Sequence, residues 1–177
     1  MKQLYGFFLL IIGLYAQAQA QIDWSTAFSP GRAGLDSMLH FVLEADPETR
    51  RELTDCLFPT QSDCRQLFDD PRMGRHVYRY QRYLRRHVRP VLNPRLVEQT
   101  EWLIWRATPD ELLRYEGEAR NFPGGYHELA QYLRPDLAFY RVKFVEPGRK
   151  LGSSYDVLVY LDGHWRLVHW LWVILFD

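Results

Sequence analysis

Asp162-Gly163, near the end of this 177-residue chain, is the feature that most narrows its fold. A two-residue hairpin turn needs positive φ at both central positions, which Asp and Gly tolerate, and its twist matches that of the strands it joins. Residues 155–161 before it and 164–175 after it are rich in aliphatic and aromatic side chains and read as those strands. Residues 137–145 read as a third, with Tyr140, Val142 and Phe144 on one face and Arg141 and Lys143 on the other, ending at Glu146-Pro147-Gly148. Residues 99–106 (QTEWLIWR) form a further strand candidate.

The preceding half has helical periodicity. Residues 36–57 place Leu35, Leu39, Val42 and Leu43 on one side, with a break at Asp46-Pro47 where proline can open a second helix. Thr60 reads as a helix cap with Asp63 favourably near the N-terminal dipole, and Cys64, Leu67 and Phe68 make that short helix apolar on one side. Asp70-Pro71 opens a helix to about His87. Met73, Val77, Tyr80, Leu84 and Val88 form its buried stripe, and Arg75, Arg79, Arg82, Arg86 and Arg89 form a second, basic one. Between Asp70 and Glu98 stand eight Arg and no acidic residue, whereas residues 23–70 are acid-rich. Thr108-Pro109-Asp110-Glu111 is a further helix start, residues 121–125 a turn, and 126–133 a last short helix. Helices followed by antiparallel strands predict an α+β domain with the helices packed on one face of the C-terminal sheet.

The first residues follow a secretory pattern: Lys2, an apolar run over 4–15, then small residues Ala16, Ala18 and Ala20. A run of about a dozen is short for a membrane span, which takes roughly 17 to 25 residues. Residues 1–20 are therefore expected to be a signal peptide cleaved near Ala20, leaving 21–177 as one exported domain, periplasmic or extracellular. Cys56 and Cys64, with seven residues between them, then read as a disulfide, two buried thiols being the alternative. Net charge is zero, which gives no support to a nucleic-acid partner.

The combination of Phe58-Pro59-Thr60 with Asp63-Cys64, then 122–126 (FPGGY), Tyr140, 143–148 (KFVEPG), Gly152, Tyr155-Asp156 and Gly163-His164-Trp165 resembles a group of uncharacterised secreted bacterial proteins. It covers most of the mature chain and implies no activity. Members of that group tend to end the last strand with Pro-Lys-Pro-Trp, where this chain has Val168-His169-Trp170-Leu171-Trp172. The order of elements also looks like the NTF2-like or cystatin-like cone. That likeness implies a curved sheet enclosing a cavity, in a fold that hosts enzymes and pure binding modules alike.

Three functional readings follow. In the first, a non-catalytic domain binds a small apolar molecule or a partner protein in a cavity lined by Tyr140, Phe144, Tyr160 and Trp165. In the second, counting back from the Asp162-Gly163 turn sets Asp156 opposite His169. The carboxylate would orient the imidazole and raise its pKa, making a general acid/base pair for an enzyme of the isomerase or dehydratase kind. In the third, Arg75, Arg79, Arg82, Arg86 and Arg89 bind a polyanion or a cell-surface partner, because guanidinium groups pair bidentately with anionic oxygens, or the chain pairs its sheet into a homodimer. No cofactor is expected: G-x-S-x-G, the phosphate-binding G-x-x-x-x-G-K-[ST] and H-E-x-x-H are all missing, and the six His lack metal-ligand spacing.

Overall fold

Local chemistry sets the helix boundaries. In the computed structural model, which describes residues 23–175, α1 spans Gly31–Glu44 and α2 spans Pro47–Leu57. Between them the Asp46 carboxylate accepts the N–H groups of Glu48 and Thr49, and Pro47 fills the first turn, where no N–H is needed. Thr60 and Asp63 form a reciprocal capping box that starts α3 (Gln61–Gln66). Asp70 and Pro71 start α4 (Pro71–His87). Thr108 and Glu111 repeat the capping box at α5 (Pro109–Arg114), which follows β1 (Glu101–Ala107). A 3-10 turn at Gly117–Asn121, α6 (Gly125–Leu129) and a second 3-10 turn at Ala130–Tyr132 lead to β2 (Phe139–Val145), β3 (Gly152–Leu161) and β4 (His164–Leu167). The expected leader over 1–20 lies outside the described residues.

The strands form one antiparallel sheet in the order β1-β2-β3-β4, each beside its neighbour in sequence. Asp162 and Gly163 both have positive φ, +46° and +86°, and the turn sets Leu161 against His164, Tyr160 against Trp165 and Leu158 against Leu167. Between β2 and β3 the register shifts: Tyr140 faces Leu158 but Arg141 faces Asp156, so Val157 is an extra residue. A bulge of this kind reverses which face the upstream residues occupy.

The sheet separates two cores. One face carries Tyr140, Val142, Phe144, Leu158, Trp165 and Leu167 against Leu35, Met38 and Leu39 of α1 and Leu53 and Leu57 of α2. The other carries Ala107, Phe139, Val157, Val159 and Leu161 against Cys64, Val77, Leu112, Tyr126 and Leu129 from α3 to α6. The fold is α+β as expected, with helices over both faces of the sheet rather than one.

Two expectations need correcting. The last strand stops at Leu167 instead of running to Leu175, and residues 171–175 form a 3-10 turn. Gln81, buried on α4, is the physical reason. Its amide donates to the His169 carbonyl at 2.7 Å and accepts the His169 N–H at 3.0 Å, after which Trp170 turns the chain with φ of +48°. Cys56 and Cys64 are also not bridged; both are free thiols. Cys64 is turned into the core of the second face, while the α2 residues that flank Cys56, Leu53 and Leu57, belong to the first. Burial, with the Asp63 carboxylate beside it, pushes the Cys64 thiol up to about 12.

Candidate functional site: a basic groove along α4

α4 is placed by a close helix crossing. A Cβ on Gly74 would lie 2.5 Å from the Arg65 Cα and 2.6 Å from the Cys64 carbonyl oxygen, so only glycine lets α3 approach this near. Val77, Gln81 and Leu84 face inward with Gly74, and Val88, expected to be buried, is 48% exposed. The opposite side leaves Arg72, Arg75, Arg79, Arg82, Arg85 and Arg86 exposed, with Arg89 just past the helix end at a φ of +50°.

All of these but Arg86 line three neighbouring concavities that share wall residues. The first, of about 440 Å³, lies between the end of α2 and the end of α4 and is lined by Arg51, Asp55, Phe58, Arg85 and Arg89. The second, about 160 Å³, shares Phe58 and Arg85 with it and adds Thr60, Tyr78 and Arg82. The third, about 630 Å³, shares Tyr78 and Arg82 with the second and continues past Arg79, His76 and Arg75 to Arg72. At about 1.5 Å per residue, the row from Arg72 to Arg89 runs roughly 25 Å.

The row is almost free of counter-charge. Among the described residues, only Arg85 of this row reaches a carboxylate, Asp55 at 3.6 Å. Arg82 lies over the Tyr78 ring at 5.8 Å and Arg85 over the Phe58 ring at 5.4 Å, which holds two guanidinium groups at the groove wall. Arg79 reaches the His76 imidazole Nδ1 at 3.2 Å. The acid-rich N-terminal half does not neutralise the rest.

Helix energetics do not explain this placement. Arg85, Arg86 and His87 in the last turn suit the helix dipole, but Arg72 and Arg75 sit near the N-terminal end, where a cation is disfavoured. Arg75 with Arg79, and Arg82 with Arg86, are like charges four residues apart, each pair destabilising by about 0.2–0.5 kcal/mol. Such local conflicts concentrate where a side chain serves something other than folding.

Of the sequence stripe, Arg75, Arg79, Arg82 and Arg89 line the concavities; Arg86 is exposed but lies off them. The structure adds Arg72 and Arg85, visible in sequence only as members of the arginine run. It also adds Arg51 from α2 and Phe58 just past its end, which no local pattern connects to α4.

The other candidates are placed differently. Asp156 and His169 stand opposite each other in backbone register, the Val157 and Val168 amides bonding reciprocally next to them. The bulge nevertheless turns the Asp156 carboxylate to the face of Arg141, whose Nε lies 3.5 Å away. No hydrogen bond or ion pair among the described residues joins Asp156 to His169. Burial raises the Asp156 pKa, partly offset by Arg141. The His169 imidazole packs 5.7 Å from the Phe58 ring, and burial alone lowers its pKa to about 4, opposite to what a carboxylate partner would do.

Of the four aromatic positions, Phe144 and Trp165 are fully buried and Tyr140 nearly so. Trp165 makes edge contacts with both Tyr140 and Tyr160 at 5.4 Å, and Phe144 with Tyr155 at 6.0 Å. These rings fill the core under α1 and α2.

The chain matches no family model, no curated protein and no solved structure.

Proposed function

We propose that this chain is an exported anion-binding module whose ligand is an extended polyanion, such as an acidic polysaccharide, laid along α4. The observation that carries the reading is the row of guanidinium groups, among which only Arg85 meets a carboxylate, lining three neighbouring concavities along α4. A single small anion needs two or three donors, whereas this row repeats cations along roughly 25 Å of helix. A concave floor walled by Phe58 and Tyr78 suits an inserted polymer better than a flat membrane surface. The leader pattern over 1–20 supports export, which puts such polymers within reach.

Retention on immobilised heparin at low salt tests the proposal. The chain is expected to bind and to elute as salt screens the contacts. Changing Arg75, Arg79 and Arg82 together to Gln is expected to weaken binding roughly tenfold, taking each exposed ion pair as about 0.5 kcal/mol. Equal retention of the chain and this triple variant would overturn the assignment to α4, and no retention of either would overturn polyanion binding.

A further inference from the structure

β1 is an outer strand of the sheet, and such an edge ordinarily presents unpaired N–H and C=O groups to any passing strand. Here two of those groups are taken. Arg32, at the start of α1, donates through Nη1 to the Ile104 carbonyl at 2.8 Å. Glu118, in the 3-10 turn after α5, accepts the Arg106 N–H at 2.7 Å. The two side chains also hold each other, Arg32 Nη2 lying 2.8 and 2.6 Å from the two Glu118 oxygens. One donor and one acceptor, locked together, thus occupy the positions that a neighbouring strand would use.

Both side chains are about half exposed, at 50% and 46%, so the lock is open to water and sensitive to salt. They belong to different elements and contribute to neither core, so their shared contact is the strand edge itself.

The sequence of β1 also complements itself. About a two-fold axis normal to the sheet through Ile104, Trp102 meets Arg106 and Leu103 meets Trp105 of the other strand, while Glu101 meets Ala107. Those pairs set a cation against an aromatic ring and an aliphatic against an aromatic, with no like charges opposed. The register keeps every residue on its own face, as a two-fold antiparallel pairing demands.

We propose that Arg32 and Glu118 form a clasp that keeps the β1 edge closed, and that an opened edge pairs antiparallel with β1 of a second copy. Sedimentation velocity at matched concentration tests this. The unaltered chain is expected to sediment as one copy and R32A/E118A as two. Adding Ile104→Lys, which opposes two like charges on the axis, is expected to return that variant to one copy. Arg32→Ala alone frees the Ile104 carbonyl and is expected to shift the same way, which covers a double variant that fails to fold. The proposal is overturned by a folded double variant that stays single, by a dimer that survives Ile104→Lys, or by a dimer of the unaltered chain.

Discussion

His169 shows how one buried side chain gives the fold a pH dependence. Its Nε2 has no hydrogen-bond partner among the described residues, and burial holds its pKa at about 4, against an ordinary 6.5. The unfolded chain therefore takes up the proton first. Stability contributed by the neutral ring is complete above about pH 6.5 and declines as pH falls towards 4, by at most about 3 kcal/mol. Across that window the melting temperature of the chain is expected to fall relative to that of His169→Met as pH is lowered, because the variant has no proton to gain there. Parallel curves would contradict this. Asp63 and Arg166 are a second such point: the guanidinium Nε lies 2.7 Å from the carboxylate, and both side chains are about 10% exposed or less. Arg166→Met leaves the buried Asp63 carboxylate with the Thr60 N–H but no counter-charge, and denaturant unfolding is expected to show a loss of about 3 kcal/mol. Arg166 Nη1 also holds the Cys56 carbonyl at 3.1 Å, so this residue ties the end of α2 to β4 without any disulfide. At this scale the sequence was legible where the signal was local. Asp46, Thr60, Asp70 and Thr108 cap helices as their identities suggest. The side taken by Asp156 was not legible, because an extra residue at Val157 has no signature in composition or turn chemistry.

Helix α4 carries most of the functional argument, and its seat depends on Gly74. Gly74→Ala would improve intrinsic helix propensity by up to about 1 kcal/mol. The added methyl would nevertheless meet backbone atoms of α3 at 2.5–2.8 Å, which cannot swing aside as a side chain could. Unfolding is expected to show net destabilisation, with overpacking of about 1–3 kcal/mol outweighing propensity. A stabilised variant would mean that α3 yields freely. The boundaries of α4 were legible from Asp70-Pro71 and Pro90, whereas its inward face was only partly so. Gln81 is polar yet buried, because its amide completes the backbone groups of His169. The same contact ended β4 sooner than an apolar run over 164–175 suggested. Periodicity reports which residues are apolar, not which distant amide will replace a ladder partner.

For the whole molecule, the hairpin at Asp162-Gly163 fixed the register of β3 and β4, and with it the α+β class was readable from sequence. The distribution of helices was not. α1 and α2 cover one face of the sheet and α3 to α6 the other, an arrangement set by long-range packing between two separate cores. The groove follows from that arrangement, since Arg51 reaches it from α2, Phe58 from just past the end of α2, and the arginine row from α4. The measurement that tests the central claim most directly is nuclear magnetic resonance mapping of the isotopically labelled chain titrated with a heparin oligosaccharide at low salt. Saturable shifts are expected at Arg75, Tyr78, Arg79, Arg82, Arg85 and Phe58, fading as salt is raised. Shifts confined to the opposite region around Arg32 and Trp102, or no saturable shifts at all, would contradict the assignment of the groove as an anion-binding site.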